Sequence, residues 1–408
     1  MEKNSTKSLA NRIFQHNKYY FNTASIGLVG ELQEHKEGWD IAVKNVCNAY
    51  AKFLTGKITD SNNIHIFHNT TAAIQRVFHI LNKRLNNSKS NLLTTDAEFP
   101  GILAALYEIW SGEIHVAKID NLIWSGNSEK VVEYLRKAIL LTKPKVFFIS
   151  HVLRASGFTI PLLDLINFIK KIDPNIVIVI DGAQAVGNIK VDNSILNKVD
   201  FYVTSAHKWL CGATTLGLAY AKFGWDIMDP AQGYSLKLCS GGTGILEVLY
   251  SVIDSLQDFR KMEEIEKYNR YLSNLFIDEL ENVNKINFYK FPNETDRNGI
   301  VTFKMNSELS NDFFRFGKGD KEYFPLTFLK KENYLGEDTE GNNEYDELFL
   351  RNDRYRILFE EPNKPISWFK LSHKTEIPNE GVFRTCFHYY HSPNDVLQFA
   401  NFIKGKLY

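Results

Sequence analysis

Neither sign of charge dominates this 408-residue chain: Lys plus Arg and Asp plus Glu each number 48. At a formal net charge of +0 it has no global field to gather nucleic acid or an anionic membrane surface. Cysteine is scarce as well. The four present, Cys47, Cys211, Cys239 and Cys386, show no CxxC spacing, and the N-terminus MEKNSTKSLANRIFQHN is polar where a signal peptide would carry an apolar core. A reducing cytoplasm is the setting this predicts. Long hydrophobic runs are missing: Val146 to Ile149 and Ile176 to Ile180 are strand-length and too short to span a bilayer. Nor is there an internal repeat or a low-complexity tract, although Asn and Lys are frequent. Together these absences predict a soluble protein whose partners are small molecules.

What is present is apolar material for a large core, 44% hydrophobic and 13% aromatic residues, enough for more than one lobe. From about Leu92 to Tyr220, short aliphatic runs alternate with helical stretches, the pattern of a mostly parallel sheet covered by helices. The expected strands are Leu92 to Thr95, Ile114 to Ile119, Val146 to Ser150, Ile176 to Ile180, Phe201 to Thr204 and Leu216 to Ala221. Gly101 to Trp110, Ser128 to Leu141 and Leu162 to Lys171 carry apolar residues at helical spacing. Gly244 to Tyr268 reads as a long helix leading to a second lobe. Asn306 to Lys374, rich in Lys, Glu, Asp and Asn, reads either as solvated surface or as a cover or partner surface.

Two segments carry the chemistry. Asp181, in DGAQAVG, closes the run Ile176 to Ile180, and Lys208, in SAHKWL, follows the next run, so one carboxylate and one amine converge on one sheet edge. A buried acid without a partner is costly, so the carboxylate asks for a cation. The pair suits pyridoxal 5′-phosphate: the carboxylate keeps the pyridine nitrogen protonated and the ring an electron sink, and the amine forms the Schiff base. Both segments closely resemble the class V aminotransferases, a branch of the fold type I pyridoxal phosphate enzymes that includes cysteine desulfurases and isopenicillin N epimerases. The resemblance covers about Tyr20 to Asp258 and Gly381 to Ile403.

That resemblance implies an α/β fold: a large domain over 31–270 with a mostly parallel seven-stranded sheet, and a smaller α+β domain over 271–408, with 305–375 atypical and a possible insertion. Residues 1–30 would contribute to the substrate side, with Asn22 and Ala24 of FNTASIGL lining the pocket. Lys208 and Asp181 become the catalytic pair, and Gln184 the donor to the ring phenolate oxygen. Asn69, Thr70 and Thr71 open the helical stretch Ala72 to Leu81, where free N–H groups and hydroxyls suit a phosphate. Ser205 and His207 resemble further phosphate ligands. Gly242 and Thr243 resemble the segment reaching the neighbouring subunit's phosphate, which implies a homodimer with shared active sites. Phe99, in DAEFPG, stands where the family stacks an aromatic on the ring, and Arg384, in FRTCFHYYHSPNDV, where a planar fork would hold a substrate α-carboxylate. His388 and His391 lack further ligands at fixed spacing, so no metal site is expected.

The departures bear on the reaction. Phe99 replaces the histidine usual in desulfurases and cannot move protons. Arg154, in SHVLRASG, replaces an asparagine at the cofactor; it is open to contact with the phenolate oxygen or with a second acidic group on the substrate. After Lys208 the turn reads GATTLG where the family has GPxGxG. The stretch Asn363 to Glu380, where a desulfurase would carry its mobile thiol, contains no cysteine. The chain therefore reads as an enzyme acting at the Cα of an amino acid, foremost a transaminase. A thiol-independent C–S lyase, a desulfurase-like enzyme, an epimerase and a catalytically silent binding module remain alternatives.

Overall fold

A computed structural model of the protein describes residues 23, 39–85, 90–124, 127–212, 216–222, 224–225, 249, 251–253, 256, 261–289, 291, 293–305, 327–329, 355–357 and 381–407. The N-terminal part is built on one large sheet. Its strands are β1 (Ile64–Phe67), β2 (Leu92–Thr95), β3 (Ile114–Ala117), β4 (Val146–Ser150), β5 (Val177–Asp181), β6 (Phe201–Ser205) and β7 (Gly217–Ala221). They lie in the order β1-β7-β6-β5-β4-β2-β3. The stretch from β3 through β6 is parallel; β7 runs antiparallel between β6 and the edge strand β1, so β1 points the same way as β6.

Both faces of this sheet are covered, which is why its central strands read as unbroken apolar runs. Successive side chains of a strand point to opposite faces. Phe147, Ile149, Ile178 and Ile180 accordingly join one core with α5 (Val131–Thr142) and α6 (Leu162–Ile172), together with α1 (Trp39–Thr55). Val146, Phe148, Val177 and Val179 join the other, beneath α2 (Thr70–Arg84) and α3 (Pro100–Ile109). Two short helices, α4 (Asp120–Trp124) and α7 (Asn193–Leu196), complete this lobe among the described residues.

The six strands expected from the residues are joined by β1, which completes the seven-stranded sheet that the resemblance implies, and by an eighth strand. Residues 355–357, in the stretch read as a possible insertion, form β11, which pairs in parallel with β3 at the far edge. The second lobe is a four-stranded antiparallel sheet in the order β10-β12-β9-β8, made of β8 (Ile286–Phe288), β9 (Ile300–Met305), β10 (Thr327–Leu329) and β12 (Gly381–Cys386). It is backed by α8 (Met262–Leu280) and α9 (Pro393–Leu407). Their core is aromatic: Phe276 packs on Phe303, Phe387 and Phe399 with ring centroids 5.0–5.9 Å apart. Ser392 and Asp395 exchange backbone and side-chain bonds at the start of α9, and Pro393 occupies its first position, where no N–H is needed.

Helix α8 begins later and runs further than the long helix expected over Gly244 to Tyr268, much of which lies outside the described residues. It crosses the expected 270/271 boundary unbroken. Ile265 packs in the large-sheet core, and Leu272, Phe276 and Leu280 in the aromatic one.

A buried amide network ties the lobes together. Asn188 donates through Nδ2 to Gln184 O and Asn298 Oδ1, at 3.1 and 3.0 Å, and accepts from Gly299 N at 2.9 Å. Asn298 donates in turn to Gly157 O and Thr159 Oγ1, at 2.7 and 2.9 Å, while Asn269 of α8 donates to Asn188 O at 3.1 Å. All three asparagines are fully buried. Deleting one member strands the rest without water, which costs roughly 1–3 kcal/mol per orphaned group. Asn298→Ala should therefore lower stability in urea unfolding by at least that much. Glu133→Ala, which breaks an exposed pair with Lys137, should change it by less than about 1 kcal/mol. Equal effects would mean that the network does not hold the lobes.

Candidate active site

The carboxyl ends of β4, β5 and β6 bring the candidate residues together. Ser150 stands opposite Asp181, and Asp181 opposite Val203, so the loop carrying Lys208 leaves the sheet beside the aspartate. Asp181 is 5% exposed and accepts from Ala183 N at 2.8 Å. Burial pushes its carboxyl up; the Lys208 ammonium and the Ala183 N–H pull it back. Lys208 is brought down from its usual range to about 8, first by burial, while Asp181 opposes the fall and the guanidinium groups of Arg154 and Arg384 add to it. One carboxylate and three cations thus share one field.

Arg384 lies in β12, opposite Thr302 of β9 and Thr327 of β10, and is 1% exposed. Its Nη1 donates to the backbone carbonyl of Arg154 at 2.9 Å, so the small-lobe strand supports the loop that follows β4. The Arg154 guanidinium sits 5.3 Å from the centre of the Phe99 ring, a cation–π contact. Phe99 caps α3 and is 38% exposed, and Pro100 at the first helical position stiffens its approach. Gln184, just past β5, accepts the indole N–H of Trp209 at 2.8 Å. An indole N–H only donates, so this bond directs the amide oxygen of Gln184 toward Trp209 and its NH₂ away.

At the same end of the sheet, where Phe67 and Ser205 both stand opposite Gly217, Asn69 caps α2 by accepting from Ala72 N at 2.8 Å, and the first intrahelical bond runs from Ala73 N to Asn69 O. The N–H groups of Thr70 and Thr71 precede that bond, so an anion can reach them. Thr70 Oγ1 is buried with no hydrogen-bond partner among the described residues. Ser205 Oγ lies 3.0 Å from His207 Nδ1, and burial together with the Lys208 charge keeps that imidazole neutral, down at about 4. An orphaned hydroxyl, free helix-start N–H groups and a neutral imidazole fit a phosphate. The pair Asp181 and Lys208 fits the ring and aldehyde of pyridoxal phosphate.

Three further residues in the same place are absent from the candidates that the sequence offers. Glu98, one residue before Phe99 and 4% exposed, accepts from Ser150 N and Thr95 Oγ1, at 3.0 and 2.8 Å, and also from Ser150 Oγ. It ties the ends of β2 and β4. Burial raises its carboxyl to about 7 against these donors, with Asp181 adding to the rise. His151 Nδ1 meets Tyr202 Oη at 2.8 Å beneath the aspartate, and burial keeps it neutral at about 4. The rule that acids near a sheet's carboxyl edge merit attention could have found Glu98; His151 and Tyr202 meet only in three dimensions.

Asn22, Ala24, Gly242 and Thr243 lie outside the described residues. A cavity of about 1000 Å³, lined by Leu54, Val186, Ile189, Leu256 and Met262 among others, contains none of the groups above. Among the described residues no helix is long and apolar enough to cross a membrane.

Comparison with known proteins bears on this arrangement. The isopenicillin N epimerase of Amycolatopsis lactamdurans is 32% identical over 108 residues, 26% of this chain and 26% of its own length. A cysteine desulfurase of Wigglesworthia glossinidia brevipalpis is 29% identical over 196 residues, 44% of this chain and 42% of its own. The chain therefore spans less than half the length of these two relatives. The apo structure of a cysteine desulfurase from Thermococcus onnurineus NA1 superposes with a TM-score of 0.67 at 16% identity, covering 95% of this chain and 94% of that one, and so shares its fold. Residues 4–316 match the aminotransferase class-V family. With that match over most of its length, a fold type I architecture and a site that fits pyridoxal 5′-phosphate, the chain belongs to the class V aminotransferase family of pyridoxal phosphate-dependent enzymes.

Proposed function

We propose that the protein is a transaminase acting at the Cα of an amino acid, with Lys208 carrying both the cofactor and the transferred proton. The observation that supports this most is the Lys208 amine at about 8, beside a buried carboxylate and two guanidinium groups. Bound there, pyridoxal phosphate supplies a protonated ring that withdraws electrons from Cα. Asp181 would hold the ring-nitrogen proton, Gln184 would offer its NH₂ to the phenolate oxygen, and Thr70, Thr71, Ser205 and His207 would hold the phosphate. Lys208 Nζ takes the Cα proton and returns it nearby, which a single amine on one side can do. Racemisation asks for a second donor on the opposite side, and Phe99 has no titratable atom. Desulfuration asks for a mobile thiol. Residues 363–380 hold none, and Cys386 and Cys211 are buried.

A pH titration tests the central pair. The neutral amine is the nucleophile, so capture of pyridoxal phosphate by the cofactor-free protein should fall as pH drops through about 8, where an ordinary lysine would have its midpoint near 10.5. Asp181→Asn removes the charge that raises this amine, so its midpoint should move lower still while turnover falls by orders of magnitude. Lys208→Ala should lose the visible absorbance of the lysine–cofactor linkage; normal absorbance there would refute the assignment.

Arg384 is read as the holder of the substrate α-carboxylate, and Arg154 as the reader of a second anionic group on the substrate. Losing a charged hydrogen bond costs about 1.5–3 kcal/mol, roughly tenfold or more in rate. Arg384→Lys keeps the charge and loses the fork, and should lower kcat/KM by about that factor for every amino acid. Arg154→Asn should lose only the preference for dicarboxylic amino acids. Equal loss on all substrates with a moved linkage pKa would assign Arg154 to the phenolate oxygen instead.

Gly242 and Thr243 are read as contacts to the partner's phosphate, which makes the active unit a homodimer. Sedimentation should find activity only at twice the mass of one chain, and a fully active monomer would remove this part of the proposal.

A further inference from the structure

Trp209 follows Lys208 directly and is gripped from both lobes. From the large lobe, Gln184 holds its indole N–H at 2.8 Å, and Gly187 presses its backbone against the Trp209 carbonyl. Gly187 has φ of +90°, and a Cβ there would come within 2.6 Å of that carbonyl, so both the turn and the approach require glycine. From the small lobe, Gly299 meets the other side of the indole, where a Cβ would lie 2.8 Å from the ring. His388, fully buried after β12, makes two contacts with the same residue. Its ring stacks on the indole with centroids 5.3 Å apart and planes 26° apart, and its Nε2 lies 2.9 Å from the Trp209 carbonyl oxygen.

A carbonyl only accepts, so Nε2 carries the proton and donates. Burial keeps the imidazole neutral, near 3, although the carbonyls of Trp209 and Gly187 favour its charged form. Its own backbone N–H is fixed by His391 Nδ1 at 2.9 Å. A neutral imidazole meets both demands of the place: a flat face for the indole and one N–H for the carbonyl. Phenylalanine offers the first alone, and asparagine the second alone.

We propose that His388 is a positioning residue, which through Trp209 fixes Lys208 on one side and Gln184 on the other and so couples the seating of the small lobe to the geometry of the reacting amine. Displacing the small lobe moves the His388 ring and Gly299, both of which press on Trp209. The Trp209 backbone carries that movement to Lys208, and its indole N–H carries it to the amide of Gln184. The carbonyl held by His388 belongs to the residue bonded to Lys208, so no mobile side chain intervenes.

This rests on Lys208 being the cofactor lysine, and Lys208→Ala tests that premise separately. For the inference itself, His388→Phe and His388→Asn are compared with wild type in three readouts. These are the midpoint of Lys208 modification by an amine reagent in the cofactor-free protein, kcat and KM in the loaded one, and thermal unfolding. His388→Phe should move the Lys208 midpoint away from about 8 and lower kcat by about tenfold with KM changing much less. His388→Asn, which restores a donor, should recover most of the midpoint. Where the Phe variant does not accumulate, His388→Gln, with an N–H on a longer arm, is judged by the same midpoint and should shift it partway. An unmoved midpoint in the folded variants, or a kcat loss that only follows the unfolded fraction, overturns the positioning role.

Discussion

The constraint on which the site depends is a buried carboxylate. Asp181 ends β5 inside a sheet covered on both faces, where an isolated ionised acid would be driven to take up a proton. Lys208 opposes this from the next loop, and the same burial lowers the lysine, so each charge favours the other. The parallel register makes the meeting unavoidable. Asp181 lies opposite Val203 on β6, and the chain needs five residues beyond Val203 to present the amine. A cationic ring nitrogen entering this space would find a buried carboxylate whose charged form it favours, and an aldehyde would find an amine that is neutral in part near physiological pH.

The second lobe completes this arrangement through shape and hydrogen bonding more than through charge. Its aromatic core fixes β9, β12 and the two helices against one another, and the asparagine network then docks them on the turn after β5. That turn carries Gln184, while the chain after β12 carries His388, so the docking surface and the candidate site share residues. Arg384 follows the same logic, reaching from β12 to the backbone of Arg154. Any change in the seating of the lobes is felt at Lys208, because Trp209 fills the joint with no exposed surface of its own.

Much of the large sheet was legible because burial on both faces removes the polar alternation and leaves runs such as VFFIS and VIVID. Asp181 and Lys208 were legible for the same reason: charged residues stand out at the ends of such runs. β1, with its sequence IHIF, gave no comparable signal, since its histidine is half-buried and its partner β7 lies about 150 residues away in the chain. The small-lobe strands are short and antiparallel, and their pattern is broken by Lys, Arg and Thr. His151 and the asparagine network were invisible because their distant partners lie 51 to 141 residues away, and no local period reports a contact of that kind; Glu98 stood at a sheet's carboxyl edge, but its tie to Ser150 across 52 residues could not be read. His388 could be read as structural from the sequence, but its grip on Trp209 across 179 residues could not.

The division of labour within the site has a physical basis. The pair Asp181 and Lys208 is fixed by sheet register and by its own mutual need, and in the proposed reading a change to either removes most of the chemistry. Phe99 and Arg154 are held differently: one at the start of a helix and partly exposed, the other on a loop whose backbone is supported from the small lobe. Both can change without disturbing the sheet, and they also stack on each other. Replacing an acid–base ring by phenylalanine therefore removes a proton carrier. The arginine over that ring adds a positive charge facing the same space. In the proposed reading this face of the site offers no proton chemistry and favours anions, so the reaction and the substrate are set together by this one pair.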